Sequence, residues 1–168
     1  MTRQAPTWTL GEAAAAIGAK LHAAEPSSAD LSIAGVTTDS RGDCQGRLFV
    51  ALRGERFNGH DYVTKAAKSG AIGAVVDQAM DGPLPQLVVD DCRLALGRLA
   101  AAWRDRIPAR IIAITGSNGK TTVKEMVAAI LSGAGTTRAT AGNLNNDIGM
   151  PLTLLAARDE QFLILEMG

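Results

Sequence analysis

Nine consecutive residues, Ile114-Thr115-Gly116-Ser117-Asn118-Gly119-Lys120-Thr121-Thr122, place glycines, a lysine and hydroxyls at a spacing that can hold a phosphate group. Gly116 and Gly119 let the backbone turn so that successive N–H groups point at one anion. A helix-forming run from Lys120 adds the positive end of a helix dipole. Lys120 would bring a point charge to the β- and γ-phosphates of a nucleoside triphosphate, and the hydroxyl of Thr121 or Thr122 would ligate the Mg²⁺ that travels with it. The spacing departs from the usual GxxxxGK[ST], since Ile114 stands where the first glycine should be; the loop reads GxxGKTT, a shorter variant. The competing reading is a plain glycine turn with an incidental lysine, and the order strand, glycines, Lys-Thr, helix argues against it.

Further polar groups gather elsewhere. Glu166 closes an apolar run at 162–165, a strand end of the kind where ligand-contacting residues of open parallel sheets collect, and its carboxylate suits Mg²⁺. Lys124 and Glu125, one turn into the helix after the loop, read as solvated or intrahelical contacts. The segment 140–147 carries Asn143, Asn145, Asn146 and Asp147, which could grip a substrate or simply make a turn. Toward the amino terminus, Thr37-Thr38-Asp39-Ser40-Arg41 ends one strand, and a second polar loop at 54–61 includes His60 and Asp61. Arg41 suits bidentate phosphate contact, but equally a pairing with Asp39 or Asp43; His60 could be a capping residue.

These groups need a scaffold that alternates strands and helices. Thr9 followed by Glu12 makes a capping box ahead of an alanine-rich helix over 10–17 that Gly18 can close. Strands are expected at 31–39 and 47–52, then a helix capped by Asp61 and running to Lys68 with Gly70 at its end. Two more strands, 72–76 and 86–89, precede a helix over 93–106 capped by Asp90 or Asp91 and stopped by Pro108. The pattern then restarts: strand 110–115, loop, helix 120–131, strand 136–140, helix 150–157 with an early proline, strand 162–165. Such alternation predicts an α/β fold in two modules: a small α/β domain over 1–107, followed by the first part of a P-loop-type α/β ATPase domain over 108–168. A parallel sheet of this kind normally has further strands, so the chain reads as the amino-terminal part of a longer protein.

Bulk properties narrow the function classes. Seventeen basic and seventeen acidic side chains give a formal net charge of zero over 168 residues, which disfavours nucleic acid as a partner and makes any anion site local. Cys44 and Cys92 sit in no CxxC pattern, and no charged-then-apolar leader opens the chain, as expected for a cytoplasmic protein. No apolar run approaches the roughly 18 residues that span a bilayer. A monomer that does not insert in membranes is the expectation.

With these residues in view, the chain resembles the Mur ligases. VTTDSRGDCQGRLFVALRGERFNGHDYV is similar to the family's uridine-nucleotide-binding domain, GSNGKTTVKEM to its ATP loop, TAGNLNNDIGMPLTLL to its central-domain signature and LILEMG to its magnesium strand. The GxxGKTT loop is the family's own variant. The resemblance implies an ATP-dependent carboxylate–amine ligase of peptidoglycan precursor synthesis with UDP-N-acetylmuramoyl-tripeptide and D-alanyl-D-alanine as substrates, the GNLNND segment favouring that substrate pair. It further implies that Gly116, Ser117, Asn118, Gly119, Lys120, Thr121 and Thr122 hold ATP, and that Thr121 and Glu166 hold Mg²⁺. The same resemblance implies that Ser40, Arg41 and His60 lie by the uridine nucleotide and that Asn143, Asn145 and Asn146 join Lys120 at the reacting end of the substrate. Family members continue into the rest of the ATPase domain and a third domain, so the chain alone is expected to be inactive. The alternatives are another Mur-like ligase, such as a folylpolyglutamate-type synthetase, or a P-loop nucleotide-binding module. A guanine-specifying NKxD, which a switch GTPase would carry, does not occur.

Overall fold

The computed structural model describes residues 6–168, which divide into two compact units, one over 7–99 and one continuing from residue 100. The first unit opens with β1 (Trp8–Thr9) and α1 (Leu10–Ile17). The capping box is present in full: the Thr9 hydroxyl accepts from the Glu12 N–H, and the Glu12 carboxylate accepts from the Thr9 N–H at 2.8 Å. Gly18 ends α1 in the left-handed region at φ 69°. After β2 (Lys20–His22), the expected strand 31–39 appears as β3 (Ser32–Ile33), which pairs with β1, and β4 (Gly35–Thr37).

β5 (Arg47–Val50) runs parallel to β4, although parallel neighbours usually need a long crossover. Here residues 38–46 make the connection. The fully buried Cys44 plugs it from inside, and the Cys44 and Gly46 N–H groups donate to the Ser69 and Gly70 carbonyls. The polar loop expected at 54–61 instead contains a hairpin, β6 (Arg53–Gly54) with β7 (Phe57–Asn58), followed by a 3-10 turn over Gly59–Tyr62 and α2 (Val63–Lys68). Asp61 is not the cap. Tyr62 stands at the cap position of α2 with no side-chain cap bond, Asn58 caps the preceding 3-10 turn through its Oδ1, which accepts from the His60 N–H, and Asp61 lies within that turn. β8 (Gly73–Val76) and β9 (Gln86–Val88) complete a five-stranded sheet of order β2-β9-β8-β5-β4, parallel except for the edge strand β2.

Alternation along β5 explains the two faces of this sheet. Phe49 joins Cys44, Ala51, Val63, Ala66, Ala74 and Val76 in one buried cluster, with Met80 and Leu84 against it. Leu48 lies on the other face beside Leu10 of α1, close to Gly73. α3 (Cys92–Arg104), capped by Asp91 through bonds from the Arg93 and Leu94 N–H groups, contributes residues to both units.

In the second unit, β10 (Arg110–Ile114), α4 (Lys120–Ser132), β11 (Thr137–Ala139), α5 (Gly149–Ala156) and β12 (Phe162–Glu166) follow the expected order. They form a parallel sheet β10-β12-β11. Leu163, Ile164 and Leu165 are buried at its centre. Trp103, near the end of α3, donates from its indole N–H to the Ala157 carbonyl at 2.9 Å and carries the Arg158 guanidinium 5.0 Å above its ring.

Candidate nucleotide and metal site

Register brings the site of the second unit together. Ile114 pairs with Glu166, so the residue that ends the strand before the glycine loop stands beside the carboxylate that ends β12. Beyond Ile114 the chain turns at Gly116 (φ 146°) and again at Gly119 (φ 74°), the residue preceding α4; both angles are ones that a side chain would strain. The turn delivers Lys120 and Thr121 to the first turn of α4. Lys120 Nζ reaches back across the loop to the Gly116 carbonyl at 2.8 Å, and Thr121 Oγ1 lies 3.0 and 3.2 Å from the two carboxylate oxygens of Glu166. Thr122 is exposed.

Glu166 is buried, at 3% exposure. Burial pushes its pKa up, but hydrogen bonds from Asn145 and Thr121 and the charges of Lys124 and Lys120 outweigh that push and hold it below the ordinary glutamate value. The carboxylate is thus kept ionised beside a hydroxyl, the hard oxygen set that a small divalent cation prefers.

The asparagine-rich segment divides into different roles. Asn145 Nδ2 donates to Glu166 Oε1 at 3.0 Å, and the Asn145 carbonyl accepts from the Gly168 N–H. Asn146 is engaged otherwise: its Oδ1 accepts from the Ile148 and Gly149 N–H groups at the start of α5. Asn143 is exposed on the loop.

Lys124 makes the expected intrahelical contact, with Glu125, but not the expected solvated one. It is 1% exposed, not solvated, and its ammonium donates to the Thr140 carbonyl at 2.9 Å while lying 3.1 Å from Glu125 Oε1 and 3.7 Å from Glu166 Oε2. The one signal in the sequence is its spacing from Thr121, three residues on and therefore on the same helix face.

The first unit carries a separate cleft of about 470 Å³ at the carboxyl ends of β4 and β5. Its wall runs from Thr38 through Asp39 and Ser40 to Arg41, with Phe57, Tyr62 and Lys65 opposite. Ser40 is buried, whereas the Arg41 side chain is 80% exposed and forks onto Asp39 at 2.8 and 2.9 Å. Those bonds hold the Asp39 carboxyl down at about 2. The aromatic faces of Phe57 and Tyr62 stand exposed at the same cleft.

His60 turns elsewhere. Its Nδ1 bonds Asn58 Oδ1 at 2.9 Å, and its Nε2 accepts from the Asp77 N–H and lies 3.0 Å from Asp77 Oδ1. Burial lowers its pKa, and Asp77 opposes that only in part. Asp77 is also forked by Arg53, and Cys92 completes a group of three potential ligand atoms within 4.8 Å. Burial pushes the Cys92 thiol up to about 12, and Arg53 supplies a competing positive charge, so this cluster reads as an anchor for the β6–β7 hairpin. Asp77 and Arg53 escaped the sequence reading because they are 24 residues apart.

The second unit has a P-loop-type ATPase-like fold. Residues 114–168 match the Mur ligase middle domain, and residues 32–104 match the model described as Mur ligase family, catalytic domain. The chain belongs to the Mur ligase family. It is 53% identical over 145 residues to the UDP-N-acetylmuramoyl-tripeptide–D-alanyl-D-alanine ligase of Escherichia coli (strain K12), covering 86% of this chain and 32% of that protein. The enzyme of the same name from Bacillus subtilis (strain 168) is 41% identical over 149 residues, 86% of this chain and 33% of that one. Among solved structures, a crystal structure of MurF from Acinetobacter baumannii matches with a TM-score of 0.86 at 40% identity, covering 98% of this chain and 36% of the other. MurF ligase from Thermotoga maritima in complex with ADP matches with a TM-score of 0.71 at 30% identity, over 79% of this chain and 31% of that one. The chain thus spans about a third of the length of these relatives. Among the described residues no helix is long and apolar enough to cross a membrane.

Proposed function

We propose that a protein carrying this chain joins D-alanyl-D-alanine to UDP-N-acetylmuramoyl-tripeptide in the cytoplasm, at the expense of ATP. The observation that carries this reading is the contact of Thr121 with Glu166 at the end of a parallel sheet, beside the glycine loop that Lys120 closes onto Gly116, in a chain 53% identical to a ligase of that name. A diaminopimelate ligase of Geobacter metallireducens is 41% identical over a shorter 125 residues, so the neighbouring substrate specificity is the second reading.

On this reading residues 108–168 cradle ATP. The N–H groups of residues 116–122 face its phosphates, Lys120 leaves the Gly116 carbonyl for the β/γ-phosphates, and Thr121 with Glu166 would hold Mg²⁺. The donor set fits: one hydroxyl and one ionised carboxylate, already 3.0 Å apart. When bound, the metal supplies positive charge to the phosphate oxygens. Residues 1–107 take the uridine diphosphate end of the substrate, with the base against Phe57 or Tyr62 and the phosphates near Ser40, Arg41 and Lys65. His60 supports that cleft through its turn and touches Asp77, not the cleft wall.

The chemistry calls for activation of a carboxylate. Its leaving group would otherwise be oxide, so transfer of the γ-phosphoryl group to the terminal carboxylate of the tripeptide gives an acyl phosphate whose leaving group is phosphate. The amine of D-alanyl-D-alanine then attacks the carbonyl carbon, and phosphate departs as the amide forms. A heavy-oxygen label in the terminal carboxylate is the test. One labelled oxygen per turnover should emerge in inorganic phosphate; unlabelled phosphate alongside amide product would refute the acyl phosphate.

A further inference from the structure

We infer that Lys124 is a positioning residue of the metal–nucleotide site, acting through Glu166; this rests on the reading of that site given above. A lysine at 1% exposure must be satisfied by acceptors, and a residue needed only to fill space would be less costly as an apolar side chain. Its acceptors are specific. The Thr140 carbonyl takes its hydrogen bond at 2.9 Å, and Thr140 Oγ1 in turn accepts the Glu166 N–H at 3.0 Å. Lys124 thereby ties α4 to the backbone on which Glu166 sits, while its charge lies 3.7 Å from Glu166 Oε2. Thr121, one turn earlier on the same face, contacts both oxygens of that carboxylate. Lys124 and Thr121 together fix the distance between α4, which follows the phosphate loop, and the carboxylate at the end of β12.

Two effects of removing Lys124 oppose each other. Loss of the tether lets Glu166 drift, which weakens metal binding; loss of a positive charge relieves repulsion of the metal. Glu125 Oε1, 3.1 Å from the ammonium, already offsets much of that charge, so the tether dominates. Residues that orient a metal ligand commonly change metal affinity by about 10- to 100-fold when replaced.

The experiment is a titration of ATP binding against Mg²⁺ in the full-length protein, for wild type, Lys124→Met and Lys124→Gln, with ATP binding in EDTA measured alongside. Met keeps the length without a donor; Gln keeps a polar end in case Met does not fold. Either variant should need about tenfold more Mg²⁺ for half-maximal enhancement of ATP binding, with binding in EDTA nearly unchanged. A folded variant with unaltered or lower Mg²⁺ requirement would overturn the inference and leave the site reading intact. Wild type that binds no ATP at any Mg²⁺ concentration would overturn both.

Discussion

The Thr121 hydroxyl and the Glu166 carboxylate meet at 3.0 Å although 45 residues separate them in sequence. One arrives on the first turn of α4 and the other on the last residue of β12, and the pairing of Ile114 with Glu166 makes the encounter a consequence of sheet register. A slip of one residue would turn Glu166 to the opposite face.

Replacing Glu166 with Gln keeps the shape and removes the charge that a hard cation prefers. In the full-length protein, Glu166→Gln should raise the Mg²⁺ concentration required for turnover and leave binding of the uridine nucleotide nearly unchanged. Activity assayed across a Mg²⁺ series, with calorimetry of the nucleotide substrate, checks both halves. An unaltered Mg²⁺ dependence would leave Thr121 as the metal contact this chain supplies.

Asn145 and Asn146 are neighbours with different work. Asn146→Ala removes an acceptor for two N–H groups at the start of α5 and should cost about 1 kcal/mol of stability, read as a lowered denaturation midpoint. Asn145→Ala frees one oxygen of Glu166 and should instead change the Mg²⁺ dependence of turnover with a smaller effect on stability. The reverse pattern would put Asn146 at the substrate.

What the sequence could reveal follows from the range of the interaction. The Thr9–Glu12 box, the turn at Gly116 and Gly119 and the Asp91 cap involve residues within a few positions of one another, and all stand where local chemistry puts them. Glu166 was legible because strand-end carboxylates follow a topological rule. Lys124 was not, since its partners Thr140 and Glu166 lie in other elements and a lysine on a helix ordinarily faces water. The β6–β7 hairpin was hidden by its short strands, and the Arg53–Asp77–His60 contacts by their separation in sequence. In the asparagine-rich segment, composition alone could not tell a cap from a ligand contact.

The Arg41–Asp39 fork has a pH signature. Asp39 titrates at about 2 in the folded chain against an ordinary value of 3.8, so its contribution to stability is complete above about pH 4 and is lost as pH falls toward 2. Both groups are exposed, so the change in stability is small. Carboxyl NMR should show the low midpoint, and Arg41→Ala should move it up toward 3.8. An Asp39 midpoint unaffected by the substitution would mean that the fork does not persist in solution.

Binding of the nucleotide substrate probes the first unit. Ser40→Ala with Arg41→Ala should weaken UDP-N-acetylmuramoyl-tripeptide binding by about tenfold or more, because a phosphate bound in the cleft would lose a charge-assisted donor. Calorimetry on the full-length protein reads this directly, and equal affinities would move the uridine end out of this cleft.

On the proposed function, the loop from Gly116 to Thr122 positions the phosphoryl group whose transfer drives amide synthesis, with Lys120 stabilising charge on the β- and γ-phosphates. The direct measurement is the rate of amide formation from UDP-N-acetylmuramoyl-tripeptide, D-alanyl-D-alanine and ATP by full-length wild type and Lys120→Ala. Lys120→Ala should lose on the order of 10³-fold or more in rate while remaining folded, as for other positioned cations at phosphoryl-transfer centres. Turnover close to wild type in folded Lys120→Ala would contradict it.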